Sequence, residues 1–213
     1  MNSEPIRILL VDDHVMVRDG MRLMFSADPQ LHITGEAETA QQALTLLQKE
    51  SFDVALIDIS LPDKSGLELL KQMVAHCPKL GILVISMYAE DVYALRALKL
   101  GAAGYLTKNS SASALIAAVH TAAAGGKVIS ANTAQKLAGM FSGDHLPHHE
   151  QLSDRELEVM KQIAKGESLV DIATQLHVSP STVTTYRTRI LEKMQMKTNA
   201  ELTRYVFANN LFQ

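Results

Sequence analysis

Along the first 125 residues, short apolar runs and amphipathic stretches alternate five times. Ile6–Val11 is rich in β-formers; after Asp12, Asp13 and His14, the residues Val15, Val17, Met21, Met24 and Phe25 recur at helical spacing. Leu31–Ala37 then precedes a helical Ala40–Lys49, and the strand-like 53–60 precedes 67–76. Gly81–Ser86 precedes 92–100, and 104–106 precedes 112–124. Such alternation predicts an α/β domain with a five-stranded doubly wound parallel sheet, because right-handed crossovers leave few other topologies. Residues 53–60 are its expected centre, an apolar run too short for a helix that carries Asp58 to its mouth.

Gly125 and Gly126 stop the fifth helix; 131–141 could form a short helix, and 142–150 read as linker. The expected organisation is therefore 1–125, a linker over 126–150, and a second domain over 151–213. There Ser153 and Glu156 match a capping box, Leu157, Val159, Met160 and Ile163 follow, and Gly166 ends the helix. A second helix is expected over about 168–176. Ser179 and Pro180 then supply a cap and first-turn proline for a third, reaching about residue 194. Two helices joined by a tight turn make a helix-turn-helix. On the third helix Val183, Ile190 and Met194 share a core-facing stripe. Opposite lie Ser181, Thr184, Thr185 and Thr188, with Arg187, Arg189 and Lys193 on the flanks. Small hydroxyl residues can reach base edges, while Arg and Lys neutralise phosphates.

Composition narrows the class. At 47% hydrophobic and 20% charged the chain is globular and long enough for two cores, and no apolar run reaches the length of a membrane span. Met1 to Pro5 do not read as a secretory signal and the single Cys77 cannot form an internal disulfide, so a cytoplasmic protein is expected. Net charge is −3, but 1–125 holds 10 basic against 14 acidic residues whereas 151–213 holds 8 against 7. The acidic excess belongs to the first domain. The three histidines of 145–149 lack a Cys or carboxylate frame at ligand spacing, so no metal is expected there.

In a 2-1-3-4-5 strand order the first and third strands are neighbours, and Asp12, Asp13 and Asp58 converge at the switch point. Three close carboxylates raise one another's pKa unless a cation offsets them, and Mg²⁺ is the expected occupant. The fourth strand ends in Ser86, and Thr107 and Lys108 follow the fifth, adding a hydroxyl and an ammonium to the same mouth. Taken singly, Asp13 could cap a helix and Lys108 could be a solvated loop lysine. Jointly, carboxylates, metal, hydroxyl and ammonium suit a phosphoryl group.

Residues 5–125 resemble the receiver domain of bacterial two-component response regulators. The matching pieces are Val11 to His14, Asp58 to Glu68 with Pro62 and Gly66, Ser86-Met87, and Gly101 to Lys108. Residues 152–212 resemble the LuxR-type helix-turn-helix through Leu152-Ser153, Arg155-Glu156, Asp171-Ile172-Ala173 and Thr182-Val183, so the whole chain is similar to NarL/FixJ-type regulators. The resemblance implies that Asp58 accepts phosphate from a sensor histidine kinase, and that Asp13 binds Mg²⁺ directly with Asp12 in support and the Ser60 carbonyl as a further ligand. It further implies that Ser86 and Lys108 hold the phosphoryl oxygens and that Tyr105 is an aromatic switch. The implied DNA-contacting set is Ser181, Thr182, Thr184, Thr185, Arg187, Thr188, Arg189 and Lys193. A homodimer, an operator duplex and RNA polymerase are the implied partners, with the fourth helix, Asn199–Ala208, helping to pair two copies. Departures are visible: Ser86 stands where many receivers have Thr, Asn109 replaces a common Pro, and Thr184, Tyr186 and Val170 replace common Lys, His and basic residues. A depleted basic surface leaves open an adaptor that acts through protein contacts alone. A phosphatase is not expected, because the residue two beyond Asp58 is Ser60 and not a second carboxylate.

Overall fold

In a computed structural model, residues 4–88, 90–131, 133–135, 148–209, 211 and 212 are described. The chain divides into two compact units, residues 1–139 and 140–213.

The first unit runs β1 (Ile6–Val11), α1 (Val15–Phe25), β2 (Leu31–Ala37), α2 (Ala40–Lys49), β3 (Val54–Asp58), α3 (Gly66–His76), β4 (Gly81–Ser86), α4 (Glu90–Lys99), β5 (Gly104–Thr107) and α5 (Ala112–Ala123). The five strands form one sheet in the order β2-β1-β3-β4-β5, every pair parallel. β3 lies at its centre and is buried along its whole length. Side chains alternate across a strand, so each strand feeds two cores. Ile8, Leu10, Leu56, Leu83 and Ile85 pack with Met21 and Phe25 of α1 and Leu115, Ala118 and Val119 of α5. The alternate set, Leu9, Val11, Ala55, Ile57, Ile82 and Val84, is equally buried on the face left to α2, α3 and α4. Beyond α5, Val128 bridges to Gly104, and residues 131 and 133–135 are helical; the rest of the expected 131–141 helix and most of the 142–150 linker lie outside the described residues.

The second unit is helical: a 3₁₀ turn (His148–Gln151), α6 (Asp154–Ala164), α7 (Leu169–Gln175), α8 (Pro180–Lys193) and α9 (Asn199–Ala208). Each helix opens on a Ser or Thr whose side chain accepts from an orphan N–H three residues on: Ser153, Ser168, Ser179 and Thr198. The first three helices end alike, with a left-handed residue and paired bonds back to the last turn. Gly166 (φ +87°), His177 (φ 52°) and Gln195 (φ 54°) fill that position. The amides of Glu167, Val178 and Met196 then donate to the carbonyls of Gln162, Ala173 and Leu191. Leu157, Met160, Ile172, Val183, Ile190, Leu202 and Val206 close the core. His149 belongs to this packing: its Nδ1 lies 2.9 Å from the Tyr205 hydroxyl.

Candidate functional site

The register of β1 against β3 pairs Val11 with Ile57, which brings Asp12 and Asp58 out side by side at the carboxyl edge of the sheet. Both are almost fully buried. Lys108, one residue past β5, reaches back across the edge and places Nζ 2.7 Å from Asp12 Oδ2 and 2.8 Å from Asp58 Oδ2. Its own amide donates to the Ser86 carbonyl at 2.8 Å, which fixes where its stem begins. One ammonium is thus shared by two carboxylates from different strands. Burial pushes the Asp58 carboxyl above the usual range; Lys108 and the Ser60 N–H pull it back and Asp12 pushes it further, leaving it raised. Burial pulls the Lys108 ammonium down, but its bonds to Asp12 and Asp58 outweigh that and raise it.

Asp13 is a third exposed and contributes the third carboxylate. With His14 these groups each offer one ligand atom, all within 4.8 Å of one another. Three carboxylates and one ammonium leave two uncompensated negative charges. Asp13 Oδ1 is buried without a geometrically sound hydrogen bond, even though His14 Nδ1 stands 2.7 Å away at ion-pair distance. An orphaned oxygen in a doubly negative, oxygen-rich site fits a small hard divalent cation. Ser60 lies at the same mouth, its segment closed by a bridge to Ser65.

Ser86 is buried at the end of β4, and its Oγ accepts from the Tyr88 N–H at 3.2 Å. The buried Tyr105 donates its hydroxyl to the Tyr88 carbonyl at 2.7 Å. The hydroxyl at the mouth is therefore linked through one backbone residue to the aromatic side chain on β5.

The structure adds residues not singled out from the sequence. Arg18, on the buried stripe of α1 with Met21 and Phe25, donates to the Asp12 carbonyl at 2.7 Å and pairs with Glu38 at 2.6 Å. A charged residue at an apolar helical position was the available signal. His14, not Asp13, stands at the cap of α1, and Asp12 Oδ1 accepts the His14 N–H. Asp63 accepts from the amides of Ala40 and Gln41, so the loop after Asp58 caps α2. Gly66 donates to the Ile59 carbonyl at 2.8 Å, and a Cβ there would meet the Asp58 carbonyl oxygen at 2.0 Å.

In the second unit Ser181, Thr184, Thr185, Thr188 and Arg189 are exposed on α8 while Thr182 and Arg187 are half-buried. Two basic residues of this set are engaged within the domain. Arg187 Nε donates to Asn199 Oδ1 at 2.7 Å, and Lys193 Nζ donates to the buried Glu156 Oε2 at 2.6 Å. Burial would raise Glu156, yet Lys193 and the Ser153 amide hold it below its ordinary range.

Two family models match the chain: the response regulator receiver domain over residues 8–120, and the bacterial regulatory proteins of the luxR family over 150–206. The transcriptional regulatory protein UhpA of Escherichia coli is 39% identical over 204 residues, covering 95% of this chain and 98% of its own. The response regulator GacA of Pseudomonas aeruginosa is 33% identical over 199 residues, covering 92% and 93%. RcsB from Salmonella enterica serovar Typhimurium, solved bound to a promoter, shares the fold at a TM-score of 0.66 and 24% identity over 95% of this chain and 98% of that one. Among the described residues no helix is long and apolar enough to cross a membrane. A receiver sheet with its acidic mouth, a LuxR-type helical unit and relatives matched end to end place this chain in the family of NarL/FixJ-type two-component response regulators, DNA-binding regulators of transcription.

Proposed function

We propose that the protein is a cytoplasmic transcription regulator switched by phosphate: a sensor histidine kinase loads Asp58 with the help of Mg²⁺, and the loaded chain binds an operator as a dimer. The observation that carries this reading is the Lys108 ammonium held between Asp12 and Asp58 beside a third carboxylate. Asp12, Asp13, Asp58 and the Ser60 carbonyl are the residues that would hold Mg²⁺, whose charge would offset the oxygens of the group in transit. A carboxylate oxygen of Asp58 forms the bond to phosphorus as the histidine nitrogen of the kinase leaves. Lys108 then exchanges its contact with the carboxylate for one with a phosphoryl oxygen, and Ser86 turns its hydroxyl to another. That turn withdraws Ser86 Oγ from the Tyr88 amide, and Tyr105, bonded to the Tyr88 carbonyl, moves with it. The surface formed by α4, β5 and α5 repacks and controls pairing or release of the DNA-binding unit. α8 enters the major groove, and RNA polymerase is the downstream partner. The chain acts on no external substrate; slow hydrolysis at Asp58 resets it. The structure of two RcsB dimers bound to two parallel DNAs supports a dimeric reader on a shared fold.

The test is intact mass after incubation with Mg²⁺ and acetyl phosphate, beside Asp58→Asn, followed by a sizing column. The parent should gain one phosphoryl group and shift towards dimer. Equal uptake by Asp58→Asn would refute the assignment.

A further inference from the structure

We infer that α8 reads A·T pairs, through thymine methyls and base amino groups, and contacts at most one guanine in each half-site. This rests on the DNA-reading function proposed above and adds the chemistry of the bases read.

Val183 and Ile190 mark the buried side of α8. At 100° per residue the line directly opposite runs through Ser181, Thr185, Thr188 and Glu192, with Thr184 beside it, and all five are exposed. The three threonines have committed their hydroxyl hydrogens. Thr184 Oγ1 donates to the Pro180 carbonyl at 3.0 Å, Thr185 to Ser181 at 3.0 Å and Thr188 to Thr184 at 3.1 Å. Each then offers the groove a methyl group and an oxygen that can only accept. Glu192 at the end of the line is likewise an acceptor.

Guanine shows the major groove only acceptors, N7 and O6, so the three threonines and Glu192 give it no hydrogen bond; Ser181, in the first turn, shares its hydroxyl with Ser179. Adenine shows an N6 amino donor, and its partner thymine shows a methyl, so an A·T pair answers both features of the stripe. Cytosine also carries an amino donor, but no methyl. The long donors that would ordinarily select guanine stand well off this line: Arg187, on the half-buried flank, gives its Nε–H to Asn199, and Lys193 is paired with Glu156. Of the three basic residues of α8, Arg189 is the one with no hydrogen bond or ion pair among the described residues. It lies one turn beyond Thr185 and is the group available for a single guanine or a phosphate.

The experiment selects sites from a random duplex pool with the full-length chain treated with acetyl phosphate and Mg²⁺, then replaces each thymine of the selected site by uracil, which removes only the methyl. Two or more thymines per half-site should each lose about fourfold in affinity on replacement, the worth of one buried methyl-sized group. Thr185→Ser, which keeps the hydroxyl and removes the methyl, should weaken binding more than Thr185→Val, which does the reverse. Selected sites rich in contacted guanine, or uracil tolerated throughout, would overturn the inference while leaving sequence-specific DNA binding intact. Failure to enrich any sequence would overturn the DNA-reading function, and the inference with it.

Discussion

Two glycine-to-alanine changes in the receiver unit should act in opposite directions. At Gly66 a Cβ would stand 2.0 Å from the Asp58 carbonyl oxygen, 2.8 Å from its carbon and 2.9 Å from Ile59 Cα. All are backbone atoms, so no side chain can swing aside. Reaching even the 3.0 Å floor of real contacts requires the start of α3 and the end of β3 to part by about 1 Å. Overpacking of this kind costs about 1–3 kcal/mol, or about 4 °C per kcal/mol for a domain of this size. The displaced residue is Asp58 itself, so acetyl phosphate uptake should slow by about 10²-fold, as expected for a reacting group moved 1 Å. At Gly20, inside α1, a Cβ meets nothing within 4 Å. Alanine there should stabilise by about 0.5–1 kcal/mol with uptake unchanged. Thermal melts and mass-based uptake rates on both variants provide the check. A Gly66→Ala protein that melts with the parent and takes up phosphate at the parental rate would refute the reasoning.

Because Asp58 is raised by burial, its ionised form is a cost to the folded state above its folded pKa, and that cost fades as pH falls through it. Asp58→Asn should therefore melt higher than the parent at pH 8, with the gap closing in acid; a gap constant across pH would contradict this. Lys108→Ala leaves Asp12 and Asp58 together without their counter-ion, and should destabilise by about 3–5 kcal/mol, as for other broken buried pairs. Added Mg²⁺ should raise the melting temperature of that variant more than that of the parent. Asp63→Ala frees the two α2 amides it accepts from, and should cost about 1 kcal/mol. Asp63 is held low, so the difference is full above its ordinary pKa of 3.8 and is lost as pH falls through the folded value. Gln195→Gly relieves a left-handed residue at the end of α8 and should stabilise by about 1 kcal/mol, measurable by urea melts.

The periodicity of the chain carried the receiver sheet well, because its strands are short apolar runs and each helix repeats its buried positions every three or four residues. The convergence of Asp12, Asp58 and Lys108 followed from the strand order alone. What was not legible depends on partners far away in sequence. Lys193 looks like a free cation on α8 until Glu156, 37 residues earlier, is brought beneath it. Arg187 is engaged by Asn199 across the turn that Gln195 makes. Gly166 announced one helix end, but nothing in His177 or Gln195 as residue types announces a left-handed conformation. The clearance at Gly66 is likewise invisible, since it is set by the backbone of a strand eight residues earlier.

The registers of the first unit have a consequence for how the chain comes into being. β1 waits for Val54 to gain its inner neighbour, β3 waits for Gly81, and β4 waits for Gly104, so the sheet is completed only when the last strand has left the ribosome. Every pairing spans a crossover, and such non-local contacts make for slow folding. The helical unit closes in a similar way, because α6 packs chiefly on α8 and α9 and so waits for the end of that unit. The acidic mouth, which draws on β1, β3 and the residue after β5, is assembled only when all three are in place.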